Sequence, residues 1–135
     1  MTPDEVQLVQ ESFAALGDRT DDMAKAFYEH LFALDPSIRS MFSTDPAVQR
    51  KKFVDEMEEI VRSVPDLDRF VAETRDLGAR HVAYGVRVAH YKTVGEALLA
   101  ALQEVGGEAF TERHREAWSL AYNMMAETMM HGARS

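Results

Sequence analysis

An all-α fold in one domain spanning residues 1–135 is what this sequence predicts, and three observations carry that expectation. Apolar residues recur at three- and four-residue spacing in nearly every segment, the period of a helix with one buried face. Start and stop signals punctuate these stretches: Thr2-Pro3, Asp35-Pro36 and Asp45-Pro46 open helices, while Gly17, Gly85 and Gly106-Gly107 close them. No run alternates apolar and polar residues as a half-buried strand would, and no internal repeat or low-complexity linker divides the chain.

Taken in order, the first helix starts at a capping box, Thr2 with Glu5 three residues on, and carries Val6, Val9, Phe13 and Leu16. A second begins near Thr20, with Asp21 and Asp22 favourable at its positive end and Met23, Phe27, Tyr28, Leu31 and Phe32 inward. A short turn follows, from Asp35-Pro36 to about Met41-Phe42. The helix opened by Asp45-Pro46 has Phe53, Met57, Ile60, Val61 and Val64 on one stripe and ends before Pro65. A less regular helical stretch covers 66–84, with Leu67, Phe70, Val71, Leu77 and His81 inward and Gly78 weakening it. The next helix, 88–105, turns Tyr91, Val94, Leu98, Leu99, Leu102 and Val105 inward. The last starts near Thr111 and carries Ala117, Trp118, Ala121, Tyr122, Met125 and Met129, the methionines acting as core filler. Six or seven helices result.

Composition narrows the function classes. A length of 135 residues, 46% of them hydrophobic, suffices for a real core. The net charge of −8 argues against a nucleic-acid partner, which needs a basic face, and Arg50-Lys51-Lys52 is too short to supply one. No cysteine is present, which excludes disulfides, thiolate metal sites and thiol chemistry. The N-terminal stretch lacks the pattern of a signal peptide and no apolar run reaches membrane-spanning length, so a cytoplasmic protein is expected. Phosphate-binding loops, HxxxH pairs and nucleophile elbows are missing, and Glu56, Glu58 and Glu59 read as helix surface. A bound cofactor is therefore the expected carrier of any chemistry.

His81 is the candidate ligand for that cofactor. A neutral imidazole is a standard axial ligand of haem iron. Leu77 lies four residues back on the same face, where it can press on a flat apolar ligand, and a carbonyl of the same turn can hold the second ring nitrogen. A lone histidine on such a face is more often a hydrogen-bonded boundary residue. Likewise Tyr28 alone reads as a boundary tyrosine, and Gln49 as a first-turn surface residue. Their joint appearance, with Gln49 and Phe53 four apart on one helix face, strengthens the reading of a haem pocket.

Five stretches carry a resemblance to a known family: AFYEHLFALDPSIRSMF (26–42), QRKKF (49–53), LGARHVAYGV (77–86), AHYKTVGEALLAAL (89–102) and AWSLAY (117–122). In their order and spacing the chain resembles the bacterial single-domain globins and the haem domain of flavohaemoglobins, over nearly its whole length. The resemblance implies the globin fold, six to eight helices around a pocket for haem b and its iron. It implies His81 as the iron's protein ligand, Phe42 as the phenylalanine on the haem, Tyr28 as the distal tyrosine and Gln49 as its distal partner. Phe53 falls where the family usually has leucine. Tyr91 matches a proximal-side tyrosine and Val86, Val94 and Trp118 fall among pocket positions, with Leu77 added to the cofactor-binding set by its spacing from His81; Arg50, Lys51 or Lys52 could reach a propionate, but a solvated helix face is the better reading for these.

The function so implied is tight binding of oxygen at ferrous iron and conversion of nitric oxide to nitrate, with Tyr28 and Gln49 as the acting pair. Diatomic gases (oxygen, nitric oxide, carbon monoxide) are the expected ligands. The alternatives are an oxygen store or carrier, a gas or redox sensor, and an interaction module without haem. No flavin and nicotinamide reductase segment follows, so turnover requires a separate reductase. Two departures from the family's pattern stand out. The position of its C-terminal glutamate falls at about Ala133, with no carboxylate after Glu127, and Phe53 is bulky enough to narrow the distal pocket or push Gln49 aside.

Overall fold

The computed structural model describes the backbone of residues 1–42, 45–83 and 88–134 and the side chains of 1–42, 45–81 and 89–130. Six α-helices follow one another: α1 Pro3–Ala14, α2 Thr20–Leu34, α3 Pro46–Ser63, α4 Leu67–Ala83, α5 Val88–Gly106 and α6 Glu112–Arg134. Short 3-10 segments at Gly17–Arg19, Pro36–Met41 and Gly107–Ala109 link them, and no strand occurs among the described residues.

The start signals work as read. The Thr2 hydroxyl accepts the Glu5 amide at 3.2 Å while the Glu5 carboxylate accepts the Thr2 amide at 2.7 Å, which satisfies two of the donors a helix start leaves open. Asp45 caps α3 by accepting the amides of Ala47 (2.9 Å) and Val48 (3.4 Å). Two turns need φ values of +54° at Gly17 and +60° at Gly107, a region in which a Cβ is unfavourable.

Packing follows the apolar stripes. α6 lies along α4 and α1, and α5 lies along α2, which also meets α3. Most buried residues join one cluster, in which Val9, Met23, Leu31 and Leu102 are essentially sealed from solvent. Ile60, Phe70, Leu77 and Met129 form a second, smaller cluster between α3, α4 and α6. Among the described residues, no helix is long and apolar enough to cross a membrane.

The structure corrects three expectations. α4 is a regular helix from its first turn, and Leu67 at its start is 60% exposed rather than inward. Gly78 does not mark weakness; its bare Cα lets α4 seat against the α6 backbone, where a Cβ would lie 2.1 Å from the Met129 carbonyl oxygen. Ser63 and Thr74 are fully buried, each hydroxyl donating at 2.7 Å to a carbonyl of the preceding turn, Ile60 and Phe70 respectively. A stripe read only from apolar residues misses such positions.

Met23 tests the main core. Truncation by Met23→Ala at this sealed site should lower the unfolding free energy by about 2–5 kcal/mol in a urea titration.

Candidate functional site

Tyr28 sits on the inward side of α2 and Gln49 in the first turn of α3, and the two meet although 21 residues separate them. The Gln49 side-chain amide donates to the Tyr28 hydroxyl oxygen at 3.2 Å. Because the phenol accepts in this contact, its own O–H remains the donor it can offer to another group. Burial pushes the Tyr28 phenol above its ordinary pKa, the Gln49 hydrogen bond opposing part of that rise, so the hydroxyl stays protonated near neutral pH.

Four phenylalanine rings enclose Tyr28. Phe27 (centroids 5.0 Å), Phe42 (5.4 Å) and Phe53 (5.8 Å) meet it edge-on, and Phe32 lies at 5.9 Å. Phe53 is stacked flat on Phe27, 4.3 Å between centroids and 7° between planes, which ties α3 to α2. Phe42 meets Phe32 at 5.7 Å, and the Arg39 guanidinium lies 4.9 Å above the Phe32 ring. Phe53 therefore does not displace Gln49 from Tyr28. Next to Tyr28's partner in sequence, Arg50 reaches back to Asp21 on α2 at 2.8 Å, and Lys51 pairs within its own helix with Asp55 at 3.0 Å.

His81 stands near the end of α4, half-buried, with Nδ1 2.8 Å from the Leu77 carbonyl oxygen. A carbonyl only accepts, so Nδ1 carries the hydrogen in the neutral ring and Nε2 keeps its lone pair. Burial lowers the His81 pKa most; the Leu77 contact opposes the drop, Arg80 adds to it, and Glu56 opposes it. The imidazole is thus held in the state a metal ligand requires. Arg80 joins Glu56 on α3 at 3.0 Å and Asp76 at 3.3 Å, so Glu56 is more than the plain surface residue its sequence context suggests. Twenty-four residues separate Arg80 from Glu56, and no local spacing could have revealed the pair.

The other expected site residues divide. Leu77 is buried in the smaller cluster beside Ile60, Phe70 and Met129. Tyr91 is half-buried and borders both clusters, its carbonyl accepting the Tyr122 hydroxyl at 2.5 Å. Burial raises the phenols of Tyr91 and, more strongly, Tyr122. Val94 packs at the edge of the main cluster together with Phe42, Phe53 and Tyr28. Trp118 is a core residue that ties α6 to α1: its indole N–H donates to Ser12 at 2.7 Å and its ring lies 6.4 Å from Phe13. Val86 lies outside the described residues. Sequence reasoning missed Ser12, Arg80, Glu56, and the roles of Gly78 and Gly95; the Gly95 backbone makes room for the Tyr122 ring, where a Cβ would come within 2.7 Å.

The all-helical shell that holds the tautomer-fixed histidine and the hydrogen-bonded Tyr–Gln pair has counterparts as a fold. The globin family matches residues 25–129, and the chain belongs to that family. More particularly, it is homologous to the haem domain of flavohaemoproteins: it is 25% identical to the flavohaemoprotein of Bordetella pertussis over 138 aligned positions, covering 100% of this chain and 34% of that protein. The chain thus spans about a third of the length of the curated relatives it matches. An engineered carbene transferase, a proposed nitric oxide dioxygenase from Rhodothermus marinus, superposes with a TM-score of 0.88 at 28% identity, over 99% of this chain and 94% of that one. A bacterial globin from Campylobacter jejuni shares the fold, with a TM-score of 0.85 at 22% identity over 98% and 96% of the two chains. Family membership implies haem binding, and the donor set fits it: a neutral imidazole with its second nitrogen anchored, and a protonated phenol among apolar rings.

The buried tyrosines set an alkaline limit. Tyr28 and Tyr122 resist ionisation in the folded chain, whereas unfolded tyrosines lose their protons near pH 10. Unfolding above that pH therefore releases protons, and stability falls as pH rises past about 10. Urea midpoints at pH 9 and 11 check this, and Tyr122→Phe should flatten the decline.

Proposed function

We propose that residues 1–135 form a single globin domain that binds haem b through His81, holds oxygen tightly, and converts nitric oxide to nitrate with electrons from a separate reductase. The observation that carries the reading is the Gln49–Tyr28 hydrogen bond inside the aromatic nest. Haem iron, when bound, supplies reversible gas binding and electron exchange. The Leu77 carbonyl orients the His81 ring so that Nε2 is the ligating atom. Gln49 fixes the Tyr28 oxygen, and the phenolic O–H is the donor offered to a gas that has taken on negative charge. Phe27, Phe42 and Phe53 keep water from this donor, which strengthens its electrostatic effect. In this reading Phe42, Phe53, Leu77, Val86, Tyr91, Val94 and Trp118 form the apolar cradle. Oxygen, nitric oxide and carbon monoxide are its ligands.

A second reading, an oxygen store or gas sensor without turnover, draws on the proximal side. The His81 ring is bonded to a neutral carbonyl, and the neighbouring Glu56 carboxylate is engaged by Arg80. Nitrate formed per nitric oxide consumed, with a reductase supplied, separates the two readings: near-stoichiometric yield supports the dioxygenase and negligible yield the store.

The purified protein should show a Soret band and a stable oxygenated spectrum, and His81→Ala should lose or alter both. Tyr28→Phe removes a hydrogen bond to a charged acceptor, worth about 1.5–3 kcal/mol, and should speed oxygen release roughly ten- to hundredfold. An unchanged off-rate measured by stopped flow would remove Tyr28 from the mechanism.

A further inference from the structure

The turn Leu77–His81 contains both the imidazole and the carbonyl that fixes it, and the intervening Gly78 is where α4 meets the backbone of α6. A Cβ on Gly78 would lie 2.1 Å from the Met129 oxygen and 2.6 Å from both its carbonyl carbon and its Cα. These are backbone atoms of a long helix, which cannot swing aside as a side chain can. Met129 meets the same turn a second time, its side chain lying in the cluster that buries Leu77 and Phe70. The face of α4 that begins at Phe70 and passes through buried Thr74, Leu77 and Gly78 ends one turn later at His81, at the three- and four-residue steps that keep side chains on one side of a helix.

We propose that Gly78 is a positioning residue: its contact with the Met129 backbone sets the height and tilt of the Leu77–His81 turn, and thereby the direction of the His81 Nε2 lone pair. The inference rests on the haem-binding reading above. It assigns to the glycine a task that helix propensity would oppose, since alanine in its place would favour the helix by about 1 kcal/mol were there room. There is no room. To reach ordinary contact α4 must retreat from α6 by about 1 Å or rotate, and either motion carries His81 along because the helix moves as a rigid rod.

The test compares Gly78→Ala with Gly106→Ala, a control whose Cβ meets the Phe110 side chain at 2.9 Å at the far end of α5. Ferrous haem-loaded protein is read by the resonance Raman band of the iron–histidine bond and by haem loss to an acceptor globin. Protein before haem addition is read by the ¹⁵N resonances of the His81 ring. Gly78→Ala is expected to displace the Raman band, shift the Nδ1 and Nε2 resonances and release haem about tenfold faster, the lower end of what disturbed support of a metal ligand costs. Gly106→Ala is expected to leave all three unchanged. Wild-type signals in a folded Gly78→Ala, or equal shifts in the control, would overturn the proposal. If Gly78→Ala does not fold, Met129→Ala decides: it keeps the backbone contact and removes only the side chain packed beside Leu77 and Phe70, so the His81 resonances are expected to stay in place, and a clear shift there would assign the positioning to side-chain packing and overturn the proposal. A wild type that takes up no haem defeats the haem reading, while the ring resonances still report whether Gly78 positions His81.

Discussion

A polar atom carried into an apolar interior must keep a hydrogen bond, and this requirement organises the molecule. Leaving such a group unpaired costs about 1–3 kcal/mol, a large part of a domain's total stability. The main inward polar groups meet the demand in specific ways: Tyr28 with Gln49, His81 with the Leu77 carbonyl, Tyr122 with the Tyr91 carbonyl, Trp118 with Ser12. Three of these join different helices and so fix how α2 meets α3, α6 meets α5, and α6 meets α1. The fourth lies within one turn of α4 and leaves the lone pair on Nε2. Function here grows out of satisfying burial: the partner that makes a phenol or imidazole tolerable inside also decides which proton or lone pair it can offer.

Dispersion and electrostatics share the rest unequally. Phe53 stacked on Phe27 and the edge contacts around Tyr28 hold the α2–α3 junction over a wide apolar area. The Arg50–Asp21 pair spans the same junction, but Asp21 is 65% exposed and solvent screens the attraction. The rings are the stronger constraint, and the ion pair adds register. The same holds along α4, where Arg80 engages Glu56 and Asp76 at the surface while Leu77 and Phe70 do the burying.

Much of this was legible in the sequence, for local reasons. Helix starts are written in capping residues and prolines, so Thr2, Asp35 and Asp45 announced their elements correctly. The His81–Leu77 contact was legible because it lies within one helical turn. The Tyr28–Gln49 pair came from resemblance, since nothing in a 21-residue separation states that two side chains will touch. Illegible were the facts that depend on the distance between helices. Gly78 in a sequence reads as a flaw in a helix; only the Met129 backbone at its Cα shows that the missing side chain is the point. Thr74 is polar and lies outside every apolar stripe, yet it is sealed, because a hydroxyl can satisfy itself on the preceding turn. Leu67 reads as inward by type and is exposed, because the first turn of α4 extends past the cluster that α6 covers.

The proximal hydrogen bond also limits what the histidine can become. A carbonyl acceptor is neutral, so the Nδ1 proton stays on the ring and the imidazole remains uncharged. A carboxylate in that place would draw the proton and give the ring anionic character, which feeds electron density toward a bound metal. Glu56, whose charge acts on His81, has a 3.0 Å bond to Arg80. Arg80 in turn pushes the His81 pKa down, so the charges beside the ring oppose each other. On the distal side the balance is different, since Tyr28 has a dedicated partner and a closed apolar surround. The Tyr28 hydroxyl is therefore fixed by a side chain from another helix, while the His81 ring is fixed by the backbone of its own.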